Sequence, residues 1–587
     1  MEFNKIMEII KHKSLKEIKE LIENNNLSLS KIYSKFGTEI KNKNNKFRNI
    51  LKYLNEIEDF NLGILLFIFM IKKNISLITS EVLCKLIEKN KILLVKEILY
   101  YKYFDITFIK NILLVYKNHI ALSKRELQNL LNSNNILIHI TRKTKNGNSP
   151  LYKAIQLNNH EMIKLLIDYA NKNNITLNLN DCNNNGNYPL LRAIGTNNSK
   201  IVELLIDYAY KNNIILELNK KNKLGNYPIL LAMDINNIKI IKLLIDYANK
   251  NNILLELNEK NNSEWYPLLY AADKVEAFKL LIEYANENHI TLKLNKKNKW
   301  GEYPLLKAVN NIESVKLLIE YAHDNNIILE LNEKDYNGCY PLLKGSNNVE
   351  IIKLLIEYAT KNNITLDLNE KDKDGDYPLL KAVYNEEAVK LLIEYAIKNN
   401  IILKLNENDK NGKYPLLKAA YDDKIVKLLT EYATKNNIIL KLNEKDYWGW
   451  YPLLEAADNG EAVKLLIEYA TKNNMTLELN EKNFFGWYPL LKAANNAEVI
   501  KLLIEYATKN DITLKLNDKD KNDTYPLLKG ANNAEVVKLL TNYATENNII
   551  LEMNEKDKFG NCPILKASDN TKAISILHEY AIKIILL

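Results

Sequence analysis

Glycine, proline and cysteine are all scarce in this chain of 587 residues, with 16, 12 and 4 copies. So few glycines and prolines exclude a fibrous or low-complexity chain and favour helices, while the apolar fraction of 47% is ordinary for a protein with a packed core. The cysteines lie far apart, with no two at metal-ligand spacing. The N-terminus has no basic segment followed by an apolar one, so we expect no signal peptide and an intracellular, cytoplasmic location.

Motifs for catalysis and for ligand binding are also missing. None of the seven histidines has metal-site spacing, and the chain has no phosphate-binding loop, dinucleotide fingerprint or nucleophile elbow. Residues 370–375 look like the start of a calcium loop, but Lys381 stands where that loop needs its last carboxylate. The longest apolar run, residues 62–71, has about half the length of a membrane-spanning helix. We therefore predict a protein that is not an enzyme, with no metal, no cofactor and no transmembrane segment.

The net charge of +9 is unevenly distributed along the chain. Residues 1–140 hold 23 Lys and Arg against 14 Asp and Glu, whereas the rest holds 58 of each kind. Residues 1–140 also contain no proline, and helical periodicity at 15–22 and 81–99 predicts degenerate helical repeats that cap an array. A separate helical domain with its own partner is the alternative for this segment.

The prolines reveal an internal repeat. Their first three intervals are 39 residues long and the other eight are 37, and each proline begins the same short phrase. In one copy, residues 409–420 read Asp-Lys-Asn-Gly-Lys-Tyr-Pro-Leu-Leu-Lys-Ala-Ala. We number the repeats 1 to 12 by these prolines, which are Pro150, Pro189, Pro228, Pro267, Pro304, Pro341, Pro378, Pro415, Pro452, Pro489, Pro526 and Pro563.

Each part of the repeat has a physical interpretation. The Asp-x-x-Gly phrase predicts a tight turn, and the proline suits the first position of a short helix. Apolar residues at helical spacing over 425–432 predict a second, longer helix, which the Asn-Asn pair at 436–437 would terminate. The alternation over 438–442 predicts a half-buried extended segment. Since one such repeat cannot bury its own apolar face, we expect the repeats to stack.

This pattern resembles the ankyrin repeat family, through Asp-x-x-Gly-x-x-Pro-Leu-x-x-Ala-Ala followed by Val-x-Leu-Leu, and the resemblance covers residues 141–587. It implies an all-α repeat solenoid, an ankyrin-type helix-turn-helix stack with extended hairpin loops. The family's Thr-Pro-Leu-His reads Tyr-Pro-Leu-Leu here, so we expect a buried tyrosine in place of the threonine cap.

Three further departures concern length and turns. Six extra residues around 435–440 lengthen the return segment, and from Pro267 onward the link between the two helices is predicted to be two residues shorter. Glu264 and Asp523 replace the turn glycine, which predicts local irregularity there.

Aromatic residues are concentrated at the predicted hairpin tips, which include all five tryptophans. Tips of adjacent repeats should lie on the order of 10 Å apart, so we expect these rings to form one patch that anchors a partner. The alternative is that the rings pack sideways and stiffen the hairpins. The candidate residues are Trp265, Trp300, Tyr336, Tyr447, Trp448, Trp450, Phe484, Phe485, Trp487 and Phe559.

A second candidate surface is a row of basic residues, three positions after each proline. Such a row suggests an acidic partner. The alternative is a solvated face that acids such as Asp422 and Glu386 neutralise. The row contains Lys153, Arg192, Lys307, Lys344, Lys381, Lys418, Lys492, Lys529 and Lys566, and Leu231, Tyr270 and Glu455 interrupt it.

The function predicted from these features is a non-catalytic protein–protein interaction scaffold or adaptor, which binds partners through the concave groove and the hairpin tips. Binding of nucleic acid or an anionic surface, through residues 1–140 and the lysine row, is the alternative. The apolar C-terminus, residues 583–587, would fold back or pair with another molecule, so the oligomeric state stays open.

Overall fold

The computed structural model describes residues 143–586, together with Ile87, Ile140 and Thr141. The predicted capping region at residues 1–140 therefore lies almost wholly outside the described residues. Over the described chain the structure contains 24 α-helices, one 3-10 helix and no β-strand, which confirms the all-α prediction. The chain divides into two compact bodies, an N-terminal body, Met1–Leu292, and a C-terminal body, Lys293–Leu587.

In every repeat a short helix begins at the proline and a longer helix follows it. The N-terminal body contains α1 Pro150–Gln156, α2 His160–Lys172, α3 Pro189–Gly195, α4 Ser199–Lys211, α5 Pro228–Ile235, α6 Ile238–Lys250, α7 Pro267–Ala271 and α8 Val275–Glu287. The C-terminal body contains α9 Pro304–Ala308, α10 Ile312–Asp324, α11 Pro341–Gly345, α12 Val349–Lys361, α13 Pro378–Ala382, α14 Glu386–Lys398, α15 Pro415–Ala419, α16 Asp423–Lys435, α17 Pro452–Ala456, α18 Gly460–Lys472, α19 Pro489–Lys492, the 3-10 helix Ala493–Asn495, α20 Ala497–Lys509, α21 Pro526–Gly530, α22 Ala534–Glu546, α23 Pro563–Lys566 and α24 Thr571–Leu586.

Asparagines begin and end the long helices. In repeat 9 the side chain of Asn459 accepts a hydrogen bond from the Ala462 N–H and so caps the start of α18. At its end Asn473 is the C-cap, and Asn474 follows in the left-handed region with φ 53°. The predicted Asn-Asn terminator is therefore confirmed.

The change of period lies in the short helices and not in the links. The short helix has 7 residues in α1 and 5 in α7, while three residues join the two helices in both repeats, 157–159 and 272–274. The predicted shortening of the link was wrong, because residues such as Ala, Gln and Leu do not mark where a helix ends.

The helices of each body form two layers, and the extended return borders them. Within a body, each short helix packs on the long helix of its own repeat and on the short helix of the next. Leu453 and Leu454 of α17 and Leu466 of α18 are fully buried between them. In the return of repeat 8, Leu440 and Leu442 are buried and Ile439 is 57% exposed, which confirms the predicted alternation.

The tyrosine that precedes ten of the twelve prolines is buried as expected, but it does not cap the helix. Tyr414 has extended backbone and makes no capping hydrogen bond with its side chain. Its hydroxyl instead donates to the carbonyl of Glu444 in the next repeat, at 2.9 Å. A long ring cannot turn back to the N–H groups of its own helix, so this tyrosine connects repeats where a threonine would cap one.

A second tyrosine, on ten of the long helices, connects the repeat to the one before it. The Tyr432 hydroxyl accepts from the Leu403 N–H at 3.1 Å and donates to the Ile401 carbonyl at 3.2 Å. The return segment, which has no strand partner, thus has its polar backbone groups satisfied by a side chain. The equivalent residues are Tyr208, Tyr247, Tyr284, Tyr358, Tyr395, Tyr469, Tyr506, Tyr543 and Tyr580.

Asparagines and ion pairs add further connections between repeats. Asn406 donates to the Ile439 carbonyl at 2.7 Å and accepts from the Lys441 N–H at 3.1 Å. Lys371 pairs with Glu407 of the next repeat at 2.8 Å, and the bond from the lysine lowers the pKa of the Glu407 carboxyl. The repeated Leu-Asn-Glu-Lys phrase therefore serves stacking, as the tyrosines do.

The two turns without glycine keep the geometry of the others. Glu264 and Asp523 adopt φ of 63° and 62°, and the Asp523 N–H donates to the Asp520 carbonyl at 3.1 Å. The predicted irregularity at these turns was wrong. Hydrogen bonds fix the geometry of the turn, so Glu264 and Asp523 adopt a positive φ that is strained for any residue other than glycine.

Replacing Asp523 by glycine should therefore stabilise the protein. We expect Asp523→Gly to raise the free energy of unfolding by about 0.5–1 kcal/mol, because glycine adopts this φ without steric cost. Urea unfolding of the full chain measures the change. The reverse variant, Gly412→Asp, should lose stability, since its Cβ would lie 3.1 Å from the Asp446 Cα. A urea unfolding midpoint that is lower for Asp523→Gly than for the original chain would contradict this account.

Candidate functional site

The hairpin tips are shaped by the residue that starts each turn. In repeat 9 one carboxylate oxygen of the buried Asp446 accepts from the N–H groups of Trp448 and Trp450, at 2.9 Å each. Gly449 completes the turn with φ 82°. This geometry directs Tyr447 and Trp448 to solvent, where they are 72% and 55% exposed.

The tip of repeat 10 brings two more exposed rings beside them. The Phe484 N–H donates to the Trp448 carbonyl at 2.9 Å. The centroid of the Trp448 ring lies 6.3 Å from that of Phe484 and 6.5 Å from that of Phe485. We call Tyr447, Trp448, Phe484 and Phe485 the aromatic patch. The rings contact one another and yet stay exposed, and their role as an anchor for a partner stays a prediction.

The other tip aromatics have different surroundings. Trp265, in the N-terminal body, stacks on Tyr270 of its own repeat at 4.4 Å. Trp300, Tyr336 and Phe559 are exposed at the tips of their own repeats. Trp450 and Trp487 follow the turn glycine and are only half-buried.

Most of the lysine row lies partly buried against the repeats, and only its last member, Lys566, is exposed. The ammonium groups of Lys344 and Lys492 donate to the Leu306 and Glu455 carbonyls, on the short helix of the preceding repeat. Only 11% of the Lys418 side chain is exposed, between carboxylates of Asp376 and Asp409 at 3.6 and 3.4 Å.

The acids expected to neutralise the row have other roles. Asp422 caps α16, and Glu386 pairs with Lys424 at 3.5 Å. The acids that do pair with Lys418 lie in the turn of its own repeat, Asp409, and in the turn of the preceding repeat, Asp376.

The two candidate surfaces meet in repeats 9 to 11. The Lys492 ammonium lies 5.2 Å from the centre of the Trp450 ring, and the Lys529 ammonium lies 4.4 Å from that of Trp487. In each pair the tryptophan belongs to one repeat and the lysine to the next. Cation–π attraction therefore holds these half-buried tryptophans under the lysine row.

Lys529 has an unusual electrostatic environment. Burial lowers the pKa of its ammonium group. The group donates to the carbonyls of Leu491 and Lys492, at 3.1 and 2.9 Å, and the described structure gives it no carboxylate partner. A positive charge in this position would gain from a carboxylate brought by another molecule.

The buried side-chain amide of Asn483, in the turn of repeat 10, has a nitrogen without a hydrogen-bond partner among the described residues. Asn483 is 6% exposed, and within the described chain its Nδ2 donates no hydrogen bond. At the equivalent place in repeat 3, the Asn222 amide donates to Asn187 one repeat back, at 2.7 Å. In repeat 10 that earlier position is Trp450, which offers no acceptor.

Neither a metal-binding cluster nor an activated Cys339 thiol is present in the described residues. These residues contain no group of three or more His, Cys, Asp or Glu that could hold a metal ion. Burial and the charge of Asp335 raise the pKa of the Cys339 thiol to about 11, which disfavours a reactive thiolate. No helix of the described chain has the length and apolar character that crossing a membrane requires.

Comparison with known proteins agrees with the stacked helix pairs and buried Tyr-Pro-Leu-Leu phrases. The family model described as ankyrin repeats (3 copies) matches residues 119–215, 344–439 and 432–515. The chain is an ankyrin repeat protein. The first match begins ahead of the predicted boundary at residue 141, and that boundary stays a prediction.

Among solved structures, 346 chains match this ankyrin repeat protein. One of them is the ankyrin repeat domain of Bcl-3, a member of the IkappaB protein family, with 21% identity and a TM-score of 0.30. The match covers 42% of this chain and 99% of that one. No curated protein matches this chain, residues 1–587.

Proposed function

We propose that this ankyrin repeat protein is a non-catalytic scaffold or adaptor that binds partner proteins through its groove and hairpin tips. Ankyrin repeats are in general modules of protein–protein interaction. The observation that carries the proposal is the aromatic patch. Exposed aromatic clusters are typical anchors of protein interfaces, and tips of other repeats carry Lys, Asn or Asp at the same positions. We also propose a cytoplasmic location.

Several contacts support a patch that is ready to bind. The backbone hydrogen bond between Phe484 and Trp448 joins the two tips, and Asp446 holds the turn that presents them. Rings fixed in this way lose little conformational freedom when a partner covers them, so more of the contact energy remains as affinity.

Removing Trp448 of the patch together with the adjoining Trp487 should abolish binding without unfolding the protein. In the full chain, Trp448→Ala combined with Trp487→Ala should lose capture of partner proteins from a lysate, because hot-spot aromatics each contribute at least about 2 kcal/mol. Pull-down followed by mass spectrometry measures the loss, and circular dichroism checks folding.

A matched control uses aromatic tips outside the patch. Trp300→Ala combined with Tyr336→Ala removes exposed rings from the same body and should leave capture unchanged. If the Trp448 and Trp487 variant captures the same proteins as the original chain, the patch is not the binding site.

A further inference from the structure

The tips around the aromatic patch carry mostly positive charge. In repeats 8 to 12, the four positions from two before the turn glycine to one after it include four lysines and a single acid, Asp523. The same positions in repeats 5 to 7 hold the acids Glu302, Asp374 and Asp376 against the lysines Lys299 and Lys373. The four lysines are Lys410, Lys413, Lys521 and Lys558. The aromatic patch is therefore set in a basic surface that the earlier repeats of the same body do not share.

Two lysines adjoin the rings directly. Lys521 lies over the Phe484 ring at 5.4 Å, at the border of the patch. Lys529 lies over Trp487, and its half-buried ammonium has only carbonyl partners in the described structure. Each lysine therefore places an ammonium group, which can donate hydrogen bonds to an anion, beside an apolar ring.

We propose that the partner segment bound at repeats 9 to 11 is an acidic peptide with apolar anchors. Its carboxylates pair with Lys521 and Lys529, while an apolar side chain packs on Trp448 and Phe485. This inference rests on the proposed function and deepens it, because it assigns the chemistry of the partner. Charge complementarity of this kind raises the association rate and excludes basic competitors.

A peptide fits this face better than a single-stranded nucleic acid. Stacking on bases needs open ring faces. One face of each of Trp450, Trp487 and Phe484 is already covered by a lysine. The repeat array after residue 140 also has balanced charge, with 58 residues of each sign.

Selection from a random library tests the proposal. The full-length protein is panned against phage-displayed random dodecapeptides, and enriched sequences are synthesised and titrated by fluorescence anisotropy. We expect enrichment of Asp and Glu together with large apolar residues. Affinity should fall at least tenfold in Lys521→Gln combined with Lys529→Met, and at least tenfold in Trp448→Ala, with weaker binding at higher salt.

The matched control is Lys344→Met. Lys344 occupies the same repeat position as Lys529, precedes a glycine in the same way, and also has its pKa lowered by burial. The position of Trp487 is taken by Glu302 in repeat 5, so Lys344 has no tryptophan at the place where Lys529 has one. Its replacement should leave peptide affinity unchanged, and thermal unfolding of both lysine variants controls for loss of structure.

Each other outcome overturns the proposal in a distinguishable way. If the enriched peptides are neutral or basic and Trp448→Ala no longer binds them, the partner is not acidic, but the proposed binding site stands. If the enriched peptides bind all these variants equally well, or if no peptide is enriched, the patch is not the binding site either. If a fluorescein-labelled single-stranded oligonucleotide binds, is lost in Trp448→Ala and resists acidic peptides, the site is one for nucleic acid.

Discussion

Raising the pH above about 10 should unfold this protein steeply and cooperatively. Burial raises the pKa of the tyrosine that precedes the proline in ten repeats, whereas the same tyrosines in an unfolded chain ionise near the ordinary value of about 10. The ten are Tyr188, Tyr227, Tyr266, Tyr303, Tyr340, Tyr377, Tyr414, Tyr451, Tyr488 and Tyr525.

The direction follows from proton linkage. A raised pKa in the folded state means that the unfolded chain releases its protons first. The stabilisation is fully present below about pH 10 and is lost as the pH rises toward the folded pKa. Each tyrosine costs about 1.4 kcal/mol per pH unit in that window, so ten of them cost on the order of 10 kcal/mol per unit, comparable to the whole stability of a domain.

Two measurements check this result. Circular dichroism follows the helices, and ultraviolet absorbance follows tyrosinate formation, and both should change together. Tyr414→Phe combined with Tyr451→Phe removes two titrating groups and should reduce the slope of stability against pH by about 2.7 kcal/mol per unit. Full ionisation of the tyrosines in a chain that keeps its helical signal would contradict the prediction.

Removing one hydroxyl from the long-helix tyrosines should weaken the stack at a chosen place. Tyr432→Phe leaves the buried Leu403 N–H and the Ile401 carbonyl without their shared partner. An unsatisfied buried group costs about 1–3 kcal/mol, so we expect a loss of about 2–3 kcal/mol in the free energy of unfolding. Because repeats interact only with their neighbours, the damage should be concentrated between repeats 7 and 8.

Urea unfolding measures this loss, and amide hydrogen exchange at Leu403 locates it. Tyr384→Phe is the matched control, since Tyr384 lies on the surface with 60% exposure. It should change stability by less than about 0.5 kcal/mol. Equal stability of Tyr432→Phe and the original chain would show that water or a rearranged backbone replaces the hydroxyl.

The position of the site could be predicted from the sequence, but several contacts between its residues could not. The spacing of the tip aromatics predicted that Trp448, Phe484 and Phe485 lie together, because equivalent positions of adjacent repeats are neighbours. The cation–π pair of Trp450 with Lys492 was missed, since it joins different positions of two successive repeats. The orphaned amide of Asn483 was missed for the same reason, as its usual partner is one repeat away.

The amino-acid sequence by itself determined the repeat, its helices and its turns, because each depends on local rules: proline at a helix start, asparagine at its end, and alternating burial in the return. Only the tertiary structure decided the roles of the tyrosines and of the lysine row. A side chain that bonds to its own helix and one that bonds to the next repeat look alike in sequence, and stacking alone selects between them.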